Sequence, residues 1–373
     1  MKKLLFIDQD GTLILEPEDE KLDSFEKLRF LPGVITYLSR IATELDYDLV
    51  LVTNQDGLGT EYLTEEAFFP PHNKMLEILK GEGVIFREIC IDRHFPEDQC
   101  DCRKPGIGML RHYLTGDFDI ARSFVIGDRF TDALLAQNLG CKAIHIQCHL
   151  SKNHAHHWNA HEVVQLHAAH WREIYQFLRN LPRTITVTKS TEETHIEVHL
   201  VLDGHGTADI STGIGFFDHM LQQLAKHAQL DLRIRAKGDL HVDEHHTIED
   251  TALALGEAFH RALGNKKGIQ RYGFVIPMDD SLAQVAVDFG GRPWLEWQAT
   301  FTREKVGDMP AEMFRHFFKS FSDAAKCNLH IRCEGENEHH KIEAIFKAVA
   351  YAIRMAVARQ DDRTTVPSTK GML

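Results

Sequence analysis

Two short histidine motifs hold the residues best suited to chemistry in this 373-residue chain. Segments 245–249 and 339–343 each read His-His-x-x-Glu. On a helix, residues three and four apart share a face, whereas adjacent residues point about 100° apart. Each glutamate can therefore reach the same metal ion as one of its histidines, and the two adjacent histidines are expected to serve two different metals.

The sequence around these motifs is also repeated. Residues 232–238 resemble residues 329–335, and Phe217-Asp-His219 resembles Phe314-Arg-His316. A duplicated unit of roughly 95 residues, strand-rich and then helical, explains these matches. Ligation by nitrogen and oxygen suits Mn, Fe, Co, Ni or Zn and leaves positions open for a substrate. The candidate ligands divide into two sites of three imidazoles and one carboxylate, drawn from His219, His245, His246, Glu249, His316, His339, His340 and Glu343.

In the first half of the chain, three apolar runs end in polar residues. Such runs are typical of buried parallel strands, which predicts an α/β fold with ligands at the carboxyl edge of its sheet. The runs and the polar residues that follow them are Leu4–Ile7 with Asp8 and Asp10, Asp48–Val52 with Thr53 and Asn54, and Ser123–Ile126 with Asp128 and Asp132.

A lysine, Lys104, lies between the second and third of these clusters. The resulting order of an acidic pair, a hydroxyl, a lysine and a second acidic pair resembles the haloacid dehalogenase superfamily of phosphohydrolases, over roughly residues 1–150. The resemblance implies a Rossmann-like fold, with Asp8 as a nucleophile that forms an aspartyl-phosphate and Asp10 as the general acid and base. It further implies that Thr53, Asn54 and Lys104 bind phosphate, and that Mg²⁺ is held by Asp8, the backbone of Asp10 and Asp128, with Asp132 in support.

A second metal loop is expected at His94, Cys100 and Cys102. It resembles the structural zinc loop of the histidinol-phosphatase and heptose-bisphosphate phosphatase subgroup. This chain departs from that pattern, because the position two before His94 is Asp92 and the nearest upstream cysteine is Cys90. Both fall on the same face of a strand, so either residue could be the fourth ligand. The alternative is a loop with reduced thiols and no metal.

Residues 145–170 are rich in histidine but lack a glutamate partner or a second copy. The apolar pattern through Val163, Leu166 and Ile174 predicts a solvated loop and then a helix that closes the first domain. Leu181-Pro182 ends that helix, and an alternating strand begins after it. The expected domains are therefore residues 1–180 and 183–373.

From residue 183 onward, paired strands and helices predict an α+β domain made of two duplicated half-domains. Both histidine motifs, the turn Gly291-Arg292-Pro293 and the segment 367–371 closely resemble imidazoleglycerol-phosphate dehydratase. In that family the metal is usually Mn²⁺, two per site, and the metals lie between the subunits of a large homo-oligomer. The resemblance implies Glu193 as the acid/base residue and a phosphate-binding set of Arg271, Arg292, Lys347, Ser368 and Lys370.

The expected dehydration is demanding because the hydrogen removed is not acidified by a carbonyl group. Two metals that grip the imidazole nitrogens of the substrate can stabilise an imidazolate, and the ring can then expel hydroxide through a diazafulvene-like intermediate. The two resemblances together are those of the bifunctional histidinol-phosphatase/imidazoleglycerol-phosphate dehydratases of histidine biosynthesis.

Composition excludes several other classes of protein. The net charge of −13 argues against a nucleic-acid partner, which needs a basic surface. No stretch approaches the roughly 20 apolar residues of a membrane span, and we expect a cytoplasmic enzyme of small phosphorylated substrates. Seven cysteines is an odd number for a disulfide framework.

Two alternatives remain at this point. In the first, the dehydratase is kept while the phosphatase acts on another substrate, such as a heptose bisphosphate, or is inactive. In the second, the chain is a metal-assembled structural shell without turnover. The second alternative predicts that chelation dissociates the oligomer while Mn²⁺-loaded protein leaves imidazoleglycerol phosphate unchanged.

Overall fold

A computed structural model of the chain describes residues 2–147, 162–273, 276–359 and 365–370. The chain divides into two compact units, Met1–Leu181 and Pro182–Leu373. Each unit has its own apolar core.

The first unit is built around a six-stranded sheet with the order β3-β2-β1-β4-β5-β6, in which every pairing is parallel. The predicted strands are present, and the polar clusters after them meet at one edge because carboxyl ends of parallel strands lie together. The strands are β1 Lys3–Ile7, β2 Tyr47–Asn54, β3 Phe86–Asp92, β4 Phe124–Gly127, β5 Lys142–Ile146 and β6 Val164–Ala168. The helices are α1 Val34–Glu44, α2 Glu65–Gly81, α3 Phe130–Leu139 and α4 Trp171–Asn180.

Apolar layers cover both faces of this sheet. Leu5 and Ile7 point into the layer that also contains α1, α2 and α4, while Leu4 and Phe6 point into the layer under α3. Alternate residues of one strand therefore serve opposite layers, as expected for a strand buried on both sides. The doubly covered parallel sheet confirms the predicted α/β class.

The helix predicted to begin near Val163 is wrong in its first part. Val164–Ala168 forms strand β6, which pairs in parallel with β5, and the helix α4 begins only at Trp171. The apolar residues Val164, Leu166 and Ala168 alternate with polar residues, as in a strand. Taken together with the apolar residues of α4, however, their spacing also fits a helical period over so short a stretch. Pairing with β5 supplies the backbone hydrogen bonds that decide between the two structures.

The second unit repeats one layout twice. Its first sheet has the order β7-β8-β10-β9, and its second has the order β11-β13-β17-β14, with β12 also on β13. In each half the third strand in the order is antiparallel to the second and parallel to the fourth. The first half comprises β7 Thr184–Ser190, β8 Thr194–Val201, β9 Ala208–Ser211, α5 Gly215–Ala228, β10 Asp231–Gly238 and α6 His245–Leu263. The second half comprises β11 Tyr272–Gly273, β12 Ile276–Met278, β13 Ser281–Asp288, β14 Trp294–Gln298, β15 Lys305–Val306, β16 Met309–Pro310, α7 Glu312–Ala325, β17 Asn328–Glu334 and α8 Glu338–Val357.

The four helices of this unit pack across the two halves. The helix α6 lies against α7, and α5 lies against α8. Phe217 of α5 and Phe317 of α7 meet edge to face at 5.4 Å between ring centroids within one shared core. The duplicated α+β domain is therefore confirmed, and its helices bring residues from different halves together.

No helix in the part of the chain that the structure describes combines the length and the apolar character needed to cross a membrane.

Candidate active sites and metal centres

The carboxyl edge of the first sheet brings together the predicted phosphatase residues. Lys104 Nζ lies 2.5 Å from Asp8 Oδ1 and 2.8 Å from Asp132 Oδ1, and all three residues are buried. Burial alone would lower the pKa of Lys104, but the carboxylates of Asp132 and Asp8 raise it above its usual value. A buried cation is thereby fixed beside the predicted nucleophile, where it can offset charge on phosphoryl oxygens.

Three carboxylates at this edge can share a cation. Oxygen atoms of Asp8, Asp128 and Asp132 lie within 4.8 Å of one another. Asp128 Oδ1 is buried and has no hydrogen-bond partner among the residues that the structure describes. Burial and the neighbouring carboxylate of Asp8 raise the pKa of Asp128. An orphaned, crowded carboxylate of this kind fits a hard divalent ion, which prefers oxygen ligands.

Gly11 lets the backbone pass close to the carboxylate of Asp128. Its backbone has a φ of +73°, and a Cβ atom there would lie 2.1 Å from Asp128 Oδ2. A side chain at this position would therefore occupy the space beside the carboxylate.

The side chain of Asp10 is placed apart from the three-carboxylate group. Gln55 Nε2 donates to Asp10 Oδ2 at 2.6 Å. Burial and the charge of Asp8 raise the pKa of Asp10 to about 7, and burial is also the main reason that the pKa of Asp8 rises to about 6. A carboxyl group with a pKa near neutrality can both give and accept a proton, which suits a general acid and base.

The predicted phosphate-binding residues Thr53 and Asn54 follow β2. Thr53 is buried and accepts a hydrogen bond from Gln55 Nε2 at 2.9 Å. Asn54 Oδ1 accepts from the backbone N–H of Lys104 at 3.0 Å, which holds the lysine loop against the sheet. A cavity of about 570 Å³ opens over this edge, and its charged walls include Glu16, Glu20, Asp56, Arg103 and Arg129.

The predicted zinc loop forms one group of four side chains. Ligand atoms of Asp92, His94, Cys100 and Cys102 all lie within 4.8 Å of one another. His94 Nδ1 is 2.8 Å from Asp92 Oδ1. Two sulfurs, an imidazole and a carboxylate are a set of four donors of the types that zinc accepts.

Of the two open choices for a fourth ligand, the structure groups Asp92 and not Cys90. Cys90 is buried in the apolar layer with Leu4, Phe6 and Val50, and burial raises the pKa of its thiol to about 12. A thiol that stays protonated among apolar side chains is a poor metal ligand.

The two histidine motifs begin the helices α6 and α8, as predicted. On α6, Glu249 Oε2 lies 3.1 Å from His245 Nε2 and 2.9 Å from His316 Nε2, the latter on α7. On α8, His339 Nε2 lies 3.3 Å from Glu343 Oε2. Burial would raise the pKa of Glu343, but Lys347 lowers it, and the charges of His339 and of His219 on α5 add to that lowering. The first group therefore combines one half's motif with the other half's outlying histidine. In the second, His219 and His339 both lie against the ring of Phe216, at 6.5 and 5.4 Å between ring centroids.

The second histidine of each motif points away from these groups. His246 Nδ1 lies 3.0 Å from Asp239 Oδ2, and His340 Nδ1 lies 2.6 Å from Asp280 Oδ1. In each case the carboxylate raises the pKa of the imidazole. A carboxylate on Nδ1 fixes the ring's orientation and favours the tautomer whose Nε2 can bind a metal.

Glu193 and Asp280 occupy equivalent positions in the two halves, immediately before β8 and β13. Asp280 is held tightly, since it also accepts hydrogen bonds from the backbone N–H groups of Glu336 and Asn337. Glu193 is exposed and lies 3.7 Å from His246 Nδ1, whose closer partner is Asp239. In the first half, therefore, Asp239 orients His246, and the side chain of Glu193 is held less closely than that of Asp280.

The predicted dehydratase phosphate binders are only partly gathered. Arg271 pairs with Asp288 and donates to the carbonyl of Pro367 at 2.9 Å, which connects it to the segment containing Ser368 and Lys370. The backbone N–H of Lys370 donates to Ser368 Oγ at 3.2 Å. Arg292 is exposed on the turn between β13 and β14, and Lys347 Nζ is 2.8 Å from Glu343 Oε1.

Most of the histidine-rich tract, residues 148–161, lies outside the described residues. Within the described part, His145 Nδ1 and His167 Nδ1 are 3.0 Å apart on the neighbouring strands β5 and β6.

Several functional neighbours were missed by sequence reasoning. Asp239 and Asp280 were not singled out, although alignment of the two half-domains would have matched Asp280 with Glu193. Gln9 and Gln55 contact Asp10, and His72 contacts Gln9. None of the three was predicted to be functional, and the only signal for the two glutamines is that they are next to predicted site residues.

Comparison with known proteins agrees with this division. A family model described as imidazoleglycerol-phosphate dehydratase matches residues 212–353, and one described as HAD-hydrolase-like matches residues 101–165. Over its whole length and theirs, the chain is 57% identical to the histidine biosynthesis bifunctional protein HisB of Spirosoma linguale and 55% identical to that of Bacteroides fragilis. A crystal structure of imidazoleglycerol-phosphate dehydratase from Staphylococcus aureus, 36% identical with a TM-score of 0.43, covers 47% of this chain and 100% of its own.

The chain is more than 50% identical in sequence to these relatives over its full length, and it matches two family models. These findings confirm the resemblance seen in the motifs. The chain belongs to the family of histidine biosynthesis bifunctional proteins, which join a haloacid-dehalogenase-like phosphatase domain to an imidazoleglycerol-phosphate dehydratase domain.

Proposed function

We propose that this chain catalyses two reactions at two separate sites. Residues 1–180 hydrolyse histidinol phosphate to histidinol, and residues 183–373 dehydrate imidazoleglycerol phosphate to imidazole acetol phosphate. The observation that carries the proposal is that each compact unit gathers its own group of candidate metal ligands and acid/base residues. A cytoplasmic location stays a prediction.

In the phosphatase, Asp8 attacks phosphorus and the bond to the substrate alcohol breaks. Asp10 gives a proton to the departing oxygen, and it later takes a proton from the water that hydrolyses the aspartyl-phosphate. Lys104, Thr53 and Asn54 bind or position the phosphoryl group. The buried contact of Lys104 with Asp8 supports these roles, because it places positive charge where phosphoryl oxygens must lie.

Two metals are proposed for the first unit. Asp8, Asp128 and the backbone of Asp10 would hold Mg²⁺, which supplies positive charge that neutralises the phosphate and draws it toward the nucleophile. Asp132 would support this site through Lys104. Asp92, His94, Cys100 and Cys102 would hold a structural Zn²⁺.

In the dehydratase, two Mn²⁺ ions would be held by the eight motif and outlying residues on α5–α8. When bound, they supply the positive charge that makes an anionic imidazole ring accessible. Glu193 moves a proton near the leaving hydroxyl group. Arg271, Arg292, Lys347, Ser368 and Lys370 bind the substrate phosphate. The hydrogen bond from Arg271 to the carbonyl of Pro367 supports grouping Arg271 with Ser368 and Lys370.

We propose that the dehydratase ligand sets are completed by other copies of the chain in a large homo-oligomer. Within one chain, His245, Glu249 and His316 form one group, whereas His246 points elsewhere. The same separation divides His339 from His340. Adjacent histidines that cannot serve one ion within a chain are expected to serve ions shared with neighbouring copies.

The experiment is an assay of purified full-length protein with Mn²⁺ and Mg²⁺ on both substrates. We expect loss of imidazoleglycerol phosphate and release of inorganic phosphate from histidinol phosphate. Faster hydrolysis of a heptose bisphosphate than of histidinol phosphate would favour the first alternative. Chelator-induced dissociation of an oligomer that never consumes imidazoleglycerol phosphate would favour the structural shell.

A further inference from the structure

Two buried glutamine side chains hold the carboxylate of Asp10 from different directions. Gln55 Nε2 donates to Oδ2 at 2.6 Å, and Gln9 Nε2 donates to Oδ1 at 3.5 Å. Gln55 is 2% exposed and Gln9 is fully buried. Because burying an amide is unfavourable unless its polar atoms are satisfied, these hydrogen bonds strongly restrict how both side chains can lie.

The amide nitrogen of Gln55 makes a second contact. It also donates to Thr53 Oγ1 at 2.9 Å, so both of its hydrogens have acceptors. The backbone N–H of Gln55 donates to the carbonyl of Asp92 at 2.8 Å, which anchors the residue to the end of β3. Gln55 therefore sets the position of Asp10 relative to the predicted phosphate-binding hydroxyl of Thr53.

The other end of the Gln9 amide contacts His72 on α2. His72 Nδ1 lies 2.7 Å from Gln9 Oε1, and a carbonyl oxygen can only accept, so Nδ1 carries the hydrogen. His72 stacks on Phe68 at 4.9 Å, and burial lowers its pKa to about 4, which keeps the ring neutral. Because a carboxylate oxygen of Asp10 accepts from the nitrogen of the Gln9 amide, the oxygen of that amide is left to face His72.

The two oxygens of Asp10 are thus unequal. Oδ2 receives a short hydrogen bond from Gln55, whereas the contact of Gln9 with Oδ1 is at the distance limit of a hydrogen bond. We propose that Gln55 is a positioning residue that keeps Oδ2 as an acceptor and so makes Oδ1 the oxygen that delivers the proton to the leaving alcohol. The inference rests on the proposed role of Asp10 as the general acid.

As an Asp8 oxygen bonds to phosphorus, the bond from phosphorus to the alcohol oxygen breaks, and its electron pair goes to that oxygen. The proton on Asp10 Oδ1 passes to the same oxygen, which leaves as a neutral alcohol. Asp10 is left as a carboxylate, and the amide hydrogens of Gln55 and Gln9 stabilise that charge.

The test compares leaving groups in Gln55→Met, which keeps the side-chain length but removes the donor. For histidinol phosphate, an alkyl ester, we expect kcat/KM to fall about 10- to 100-fold, within the range that general acid catalysis contributes. For p-nitrophenyl phosphate, whose leaving group needs no proton, kcat/KM should change little. This parameter reports only steps up to release of the alcohol, so the later base role of Asp10 does not affect it.

Ser123→Ala is the matched control, since Ser123 is a buried hydrogen-bonding residue at the start of β4, away from the carboxyl edge of the sheet. It should change kcat/KM for both substrates equally. If Gln55→Met does not fold, as judged by circular dichroism, Gln55→Leu also removes the amide donor without adding a charge and is interpreted in the same way. Equal losses on both substrates in the folded Gln55 variant would overturn the inference.

Asp10→Asn distinguishes this inference from the function on which it rests. If Asp10→Asn loses far more activity on histidinol phosphate than on p-nitrophenyl phosphate while the Gln55 variant does not, only the role of Gln55 is wrong. If Asp10→Asn is unselective as well, the general-acid assignment itself fails.

Discussion

The two units differ in how completely one chain builds its site. In the first, Asp8, Lys104 and Asp132 are all buried and lie within hydrogen-bonding distance along one sheet edge. In the second, the ligands sit on helices, they are exposed or only partly buried, and His246 and His340 turn away from the rest. A sheet edge can therefore collect the residues of a site from a single chain, whereas our proposal for the second unit requires ligands from further copies. Hydrolysis should therefore tolerate changes that abolish dehydration, and the reverse should also hold.

The largest expected effect is at the nucleophile. Asp8→Asn should lower histidinol-phosphate hydrolysis by about 10⁴-fold or more, as loss of a nucleophile does, because the neutral amide cannot form the aspartyl-phosphate. Dehydration by the same protein should be unchanged. The measurement is phosphate release beside loss of imidazoleglycerol phosphate, and surviving hydrolysis would show that the first site is wrongly assigned.

The next effect tests whether the second site needs the outward-pointing histidines. His246→Ala and His340→Ala should each lower the rate of dehydration by about 100-fold or more. Loss of a residue that only orients a metal ligand lowers activity by about 10- to 100-fold, and loss of the ligand itself should lower it at least as much. Bound manganese per chain and oligomer size should fall, while hydrolysis is retained. His205→Ala, which alters a highly exposed histidine, is the control. Normal metal content and size in both variants would contradict assembly through these side chains.

A smaller effect is expected at the carboxylates that orient these histidines. Asp239→Asn and Asp280→Asn should weaken Mn²⁺ binding about 10- to 100-fold, because the imidazole loses the group that fixes its tautomer. Asp280→Asn should be the more severe, since Asp280 also holds the backbone before α8. Calorimetric titration of the metal-free protein measures this directly. Unchanged affinity in both would mean that the contacts are incidental.

The smallest change concerns the stability of the first unit alone. Trp171 is fully buried, and its Nε1 donates to the carbonyl of Thr12 at 2.9 Å. Trp171→Phe should lower the free energy of unfolding by about 1–3 kcal/mol by leaving that carbonyl without its partner. For a unit of this size the melting temperature should fall by about 2–4 °C per kcal/mol. Scanning calorimetry should show the shift in one transition only, and equal shifts in two transitions would argue that the units do not unfold independently.

Much of this architecture could be predicted because the sequence repeats itself or changes character sharply. The strand ending at Ile7 and the helix starting at His245 were placed correctly, since an apolar run meets an acidic pair in one case and helical spacing joins His245 to Glu249 in the other. Pairing of His316 with Glu249 could not be predicted. It depends on the packing of α7 against α6 across the two halves, which no local pattern specifies.

Other failures have equally specific causes. Alternation along β3 puts Cys90 and Asp92 on one face, so only the surrounding fold shows that one joins the core and the other joins His94. The strand at residues 164–168 was mistaken for the start of a helix because its pairing with β5 cannot be recognised from the local sequence. The contact of Gln55 with Asp10 could not be predicted, because it depends on the orientation of one side-chain amide.

The crossed helix pairs have a consequence for how such a chain could arise. A metal group that takes His245 and Glu249 from one repeat and His316 from the other cannot form within a lone repeat. An ancestor encoding a single copy would have needed a twin molecule to supply the missing imidazole, and fusing the two genes would have turned that encounter into an internal contact. The joined repeats are also no longer identical, because Asp280 lies 2.6 Å from the imidazole of His340, whereas Glu193, at the matching place, lies 3.7 Å from that of His246.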